Sequence, residues 1–193
     1  MACFVLVHGA YHGGWCWRDV ALHLRRAGHD VVTPTLTGLG ERRHLLAAAV
    51  SMETFVLDIL HVLEFEGLRD AVLVGHSFGG RVIGGVADRM PERIRRLVFL
   101  DAGLAPEGES RLGGMSAAAR ADRLAAAGRH DGGMSIPPPP ASALAPSTAC
   151  ESVQLPLSVT SSNVPSCTCQ ERSPASKSGL SSEFDLLKIL EMS

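Results

Sequence analysis

Ala71-Val72-Leu73-Val74-Gly75-His76-Ser77-Phe78-Gly79-Gly80 runs an apolar strand into the start of a helix through a turn built from a serine between glycines. The Gly75-x-Ser77-x-Gly79 spacing is a weak signal alone, so its surroundings carry the argument. A buried strand ends at Gly75, and a helical pattern begins just past Ser77. A nucleophile on such a sharp strand-to-helix turn is held in strained backbone geometry with its hydroxyl exposed above the sheet. The glycines two residues to either side relieve the crowding that a Cβ would cause there. The helix N-terminus behind Ser77 points N–H groups at developing negative charge, which makes the Phe78 N–H a natural oxyanion donor. The plainer alternative is that Ser77 merely caps a helix after a buried strand. A cap alone would not require this spacing and these flanking elements together.

Working outward, residues 3–101 alternate strand and helix patterns, as expected for a parallel sheet covered on both faces. Phe4-Val5-Leu6-Val7 is a continuous apolar run ending in His8-Gly9, which suits a strand buried on both sides. Trp17, Val20, Ala21, Leu24 and Ala27 recur at helical spacing, and Gly28 is a stop signal. Asp30-Val31-Val32-Thr33 reads as a second strand, broken by Pro34. Ser51 is an N-cap for a helix with Phe55, Ile59, Val62 and Leu63 on its apolar side. Residues 82–90 give the next helix, closed by Pro91, and 94–100 the fourth strand, ending at Asp101. The loop after the first strand is placed to supply a second oxyanion N–H from Ala10, with Gly9 allowing close approach to a substrate.

The pattern loosens after Ala102. Residues 112–128 are Ala-rich and read as helical, whereas 141–182 are dominated by Ser, Pro, Thr and Ala. Such a stretch buries too little apolar surface to offset its ordering entropy, so disorder is expected. A short amphipathic helix is expected over 184–192. The abrupt change near Ala143 suggests a lost reading frame or exon boundary. Cys150, Cys167 and Cys169 lie in this tail, and the odd total of five cysteines gives no disulfide framework.

Several motifs together make the first half specific. Phe4-Val5-Leu6-Val7-His8-Gly9-Ala10 is followed by His12-Gly13-Gly14-Trp15-Cys16-Trp17, then by Thr35-Leu36-Thr37-Gly38-Leu39-Gly40-Glu41-Arg42. With Val74–Gly80 and Val98-Phe99-Leu100-Asp101-Ala102, residues 4–105 resemble the small esterase branch of the α/β-hydrolases. That branch includes plant methylesterases, salicylate-binding esterases, hydroxynitrile lyases and related bacterial esterases. The resemblance implies ester hydrolysis through an acyl-enzyme, without metal or cofactor. Hydroxynitrile lyases typically carry threonine where Gly9 stands, so Gly9 favours an esterase.

A serine hydroxyl is a poor nucleophile until a histidine takes its proton, and that histidine needs an acid to fix its tautomer. In this fold the acid and then the histidine follow the serine, the histidine on a loop after the last strand. No histidine follows His130 in this chain. The triad His and Asp are therefore expected to be missing, along with the C-terminal strands, which would leave the fourth strand as an apolar edge unless the tail or a partner covers it. Asp101 is the remaining position for an acid, although the resemblance makes it an ordinary part of the Leu-Asp-Ala motif. His130, beside Asp131-Gly132-Gly133, reads as a solvated loop residue. His8 and His76 suit structural or pocket-lining roles, with the His76 side chain pointing away from that of Ser77.

The expected architecture is the N-terminal half of an α/β-hydrolase fold, with a parallel sheet carrying helices on both faces. The core with the start of a cap covers residues 1–140, and an irregular tail covers 141–193. The expected function is a serine hydrolase acting on small carboxylic esters, with Ser77 as nucleophile and Ala10 and Phe78 as the oxyanion hole. The alternative is a non-catalytic binding protein or a truncated, unstable gene product. Apolar residues make up 46% and charged residues 20% of the chain, with a net charge of -2. This balance gives no reason to expect nucleic acid as partner. No apolar run reaches the roughly 18 residues that span a bilayer, and the N-terminus lacks a basic signal-peptide region, so a cytoplasmic location is expected. The expected partner is a small-molecule ester; the oligomeric state is left open.

Overall fold

The computed structural model describes residues 1–102 and 112–138, together with the backbone of 169–172. The chain divides into two compact units, Met1–Gly114 with Cys167–Ser193, and Met115–Ser166. The expected boundary at 140, the change near Ala143 and the helix over 184–192 lie outside the described residues.

In the first unit the strands are β1 (Cys3–Val7), β2 (Asp30–Val32), β3 (Ala71–His76) and β4 (Ile94–Leu100), in the order β2-β1-β3-β4, all parallel. The helices between them are α1 (Arg18–Arg26), α2 (Met52–Phe65) and α3 (Gly79–Arg89). Side chains alternate across a strand, and here the alternation sorts the core into two layers. Val5, Val7, Leu73, Leu97 and Phe99 pack with Ile59 and Leu63 of α2 and Val82, Ile83 and Val86 of α3. Phe4, Leu6, Val72, Val74, Val98 and Leu100 face the other way, onto Trp17, Ala21 and Leu24. Burial on both faces is why β1, β3 and the 97–100 part of β4 read as apolar runs. Each fully buried Leu, Ile or Val contributes about 1.5–3 kcal/mol relative to exposure.

Local signals set the helix ends. Ser51 and Thr54 form a reciprocal capping box at the start of α2. Gly28 and Gly67, just past α1 and α2, take left-handed φ values of 85° and 63°. Helix α3 begins at Gly79, three residues before the start expected from apolar spacing, because the turn at Ser77 already feeds it.

Of the two outcomes expected for the edge at β4, the tail covers it. A fifth strand, β5 (Cys169–Arg172), pairs antiparallel with β4, from Leu97 opposite Arg172 to Leu100 opposite Cys169. The C-terminal half of β4 is therefore not a bare edge. The segment Cys169-Gln170-Glu171-Arg172 has no apolar alternation to mark it as a strand. An edge strand needs none, because backbone hydrogen bonds alone can hold it.

In the second unit, α4 (Ala117–Gly128) falls within the expected Ala-rich segment, with Ser116 accepting the Ala119 N–H as its cap. Among the described residues no helix is long and apolar enough to cross a membrane.

Candidate active site

Ser77 sits where β3 turns into α3, with φ of +50°. For a non-glycine residue this left-handed geometry costs free energy and persists only where its surroundings enforce it. The enforcement is visible. The Ser77 N–H donates to the Leu100 carbonyl at 3.0 Å, and its own carbonyl accepts from Gly80 at 3.2 Å. A Cβ on Gly75 would stand 2.7 Å from the Gly79 carbonyl group, and one on Gly80 would meet Ala102 at 2.5 Å. The glycines let the first turn of α3 lie directly on the ends of β3 and β4. The Phe78 N–H, at the mouth of that turn, has no acceptor among the described residues, as first-turn donors do.

The loop after β1 reaches the same place. A Cβ on Gly9 would lie 3.3 Å from Ser77 Cβ and 2.9 Å from His76 Nδ1. Two histidines grip this loop. The His8 ring is fully buried; its Nε2 accepts the Leu36 N–H at 3.0 Å, and its Nδ1 lies 2.8 Å from the Gly9 carbonyl. Because the Leu36 N–H can only donate, His8 is neutral with its proton on Nδ1, which donates to Gly9. Burial pushes its pKa down, which agrees. In a trans peptide the C=O and the following N–H point opposite ways, so holding the Gly9 carbonyl also sets the direction of the Ala10 N–H. His12 Nδ1 donates to the Ala10 carbonyl at 2.7 Å.

His76 lies edge-on to Trp17 and to His12, at ring separations of 6.3 and 6.2 Å. Its pKa is also pushed down, first by burial and then by the neighbouring His12, while Asp101 opposes the shift. Asp101 is exposed at the end of β4, with φ of +44°. Among the described residues no hydrogen bond joins a histidine or a carboxylate to the Ser77 hydroxyl. In the second unit, His130 turns Nδ1 onto Ser135 Oγ at 2.6 Å and Asp131 at 3.1 Å. It is a partnered residue, more engaged than a solvated loop histidine.

The loop over 33–46 is tied beside this site by contacts that its sequence does not announce. Asp58 of α2 accepts from both the Thr37 N–H at 2.6 Å and the Thr37 hydroxyl at 2.8 Å. Arg42 lies 3.6 Å from Asp58 and donates to the Thr35 carbonyl at 2.8 Å. The Thr35 hydroxyl donates to Glu41 and accepts from the Gly14 N–H. The hydroxyl of Thr35 holds the Glu41 carboxyl below its usual pKa. A sequence signal existed: Asp58 falls between Phe55 and Ile59, next to the apolar stripe of α2. We expect Asp58→Ala to cost about 2 kcal/mol, because it strands the two Thr37 donors. Urea unfolding monitored by circular dichroism measures this; a midpoint equal to wild type would refute the role.

Comparison with known proteins agrees with this architecture. The profile of the Alpha/beta hydrolase family matches residues 4–172. The chain belongs to the α/β-hydrolase family. It is 58% identical over 110 residues to a carbendazim hydrolyzing esterase of a Nocardioides species, covering 57% of this chain and 46% of that protein. It is 35% identical over 100 residues to salicylic acid-binding protein 2 of Nicotiana tabacum, covering 51% and 38%. An extracellular alpha/beta-hydrolase from a Paenibacillus species superposes with a TM-score of 0.64 at 32% identity, covering 72% of this chain and 56% of that one. The chain thus spans less than half the length of these two curated relatives.

Proposed function

We propose that this chain carries the nucleophile and the oxyanion hole for hydrolysis of small carboxylic esters. In this reading Ser77 Oγ attacks the ester carbonyl, and the Phe78 and Ala10 N–H groups receive the oxygen as it gains charge. The C–O bond to the alcohol then breaks, leaving an acyl group on Ser77. Water releases the acid and restores the serine. The observation that carries the reading is the strained Ser77 turn in direct contact with a loop whose peptides are fixed by two histidines. The esterases among its relatives support the substrate class. Asp101 is a weaker candidate for the acid, since it is exposed and, among the described residues, no hydrogen bond joins it to a histidine.

The proton of Ser77 still needs an acceptor. His8 cannot serve, since both its ring nitrogens are committed. That commitment favours a second reading, a pocket that binds an ester or its acid without turning it over.

The test uses the purified full chain, p-nitrophenyl acetate and a fluorophosphonate probe. Ser77→Ala is expected to lower turnover by at least about a thousandfold and to abolish a stoichiometric mass adduct on the protein. Unchanged turnover and labelling in Ser77→Ala would sink the nucleophile assignment. Neither labelling nor turnover in the wild type, with the ester still bound, would select the binding reading.

A further inference from the structure

We propose that His12 is a positioning residue of the oxyanion loop, its Nδ1–H holding the Ala10 carbonyl so that the turn at Tyr11 and the Ala10 N–H stay fixed beside Ser77. The inference rests on the nucleophile reading above and gives the second of the two loop histidines a role in the rate.

Tyr11 has φ of +66°, a left-handed conformation that a tyrosine disfavours, and its side chain is 46% exposed. Something local must hold it. The bond from His12 Nδ1 to the Ala10 carbonyl spans that residue at 2.7 Å and closes a small ring around it. The His12 ring is itself held, 5.8 Å from Trp15 and 6.2 Å from His76. The bond also fixes the tautomer: a carbonyl accepts only, so the proton sits on Nδ1. The peptide on the other side of Ala10 is held by His8 through Gly9. The two peptide planes that flank Ala10 are therefore each pinned by a ring N–H, and Gly9 brings them against Ser77. A donor displaced by an ångström from a developing oxyanion loses much of its effect, so this fixing bears on rate.

Two substitutions separate the hydrogen bond from the ring. His12→Phe keeps the aromatic packing and loses the donor. His12→Asn loses the ring but places its amide N–H near the position of Nδ1. The readout is the rate at which a fluorophosphonate modifies Ser77 in the intact chain, followed by mass spectrometry. There the Oγ–P bond forms as P–F breaks, fluoride leaves, and buffer takes up the proton. His12→Phe is expected to slow labelling by about tenfold or more, with His12→Asn within about threefold of wild type. Wild-type rates in His12→Phe, or equal losses in both variants, would overturn the proposal and leave the nucleophile reading standing. If His12→Phe does not fold, His12→Leu replaces it under the same expectation. If the wild type itself does not label, the nucleophile reading fails. The clamp is then judged by amide exchange at residues 10–12, where faster exchange in His12→Phe than in His12→Asn supports it and equal exchange refutes it.

Discussion

Gly79→Ala is expected to lower the melting temperature by about 10 °C and to abolish fluorophosphonate labelling of Ser77. An added Cβ would stand 2.6 Å from the Val7 carbonyl oxygen and 2.8 Å from that of His8. Both obstacles are backbone at the end of β1, where Val7 is paired with Gly75. Neither can swing aside as a long side chain would, so either the start of α3 lifts or the end of β1 shifts. The first motion displaces the Phe78 N–H, and the second displaces His8 and the loop behind Ala10. Gly84 supplies the internal control. It lies in the same helix, and a Cβ there would meet nothing within 4 Å. Gly84→Ala should therefore raise stability by about 1 kcal/mol, since alanine is the better helix former and restricts the unfolded chain. The same substitution five residues apart should carry opposite signs. Thermal melts in which the two variants move together would refute the close-packing account of this turn.

The fold was legible where burial is two-sided. β1 and β3 read as continuous apolar runs, and β4 as one from Leu97 to Leu100, because their faces meet helices, and the structure places all three within a residue of the expected ends. β5 escaped because an edge segment of Cys, Gln, Glu and Arg leaves no hydrophobic trace. The turn at Ser77 was legible because glycines at 75 and 79 are demanded by backbone approach, which composition records directly. The histidine contacts were not. Nothing in the order His8-Gly9-Ala10-Tyr11-His12 shows that two rings turn back onto neighbouring carbonyls. That depends on Leu36, 28 residues from His8, arriving with an N–H to be accepted. The same holds for Asp58 and Thr37, which the crossover between β2 and α2 brings together. Spacing locates one element; it does not say which polar groups two elements will exchange.

His8 also makes stability depend on pH in a direction that follows from its bonds. Protonating Nε2 would set an N–H against the Leu36 N–H in a site without solvent, so the folded chain favours the neutral ring. Its pKa, and that of His76, lie below the ordinary value of about 6.5 that the unfolded chain retains. The unfolded state therefore binds more protons than the native state below that point, and stability falls as pH falls. The contribution is complete above pH 6.5 or so and is lost on descending from there toward the lowered folded-state values. Glu41 acts in the same direction but only in the lower range where carboxylates titrate, so it does not obscure the histidine window. A loss of stability between pH 7.5 and 5.5 is expected, read as a drop in urea midpoint at constant slope. His8→Asn keeps a donor for the Gly9 carbonyl, loses the acceptor for Leu36 and removes the titrating ring. It should be less stable at pH 7.5 yet fall less steeply with acid. A profile as steep in His8→Asn as in the wild type would show that the buried ring is not what titrates.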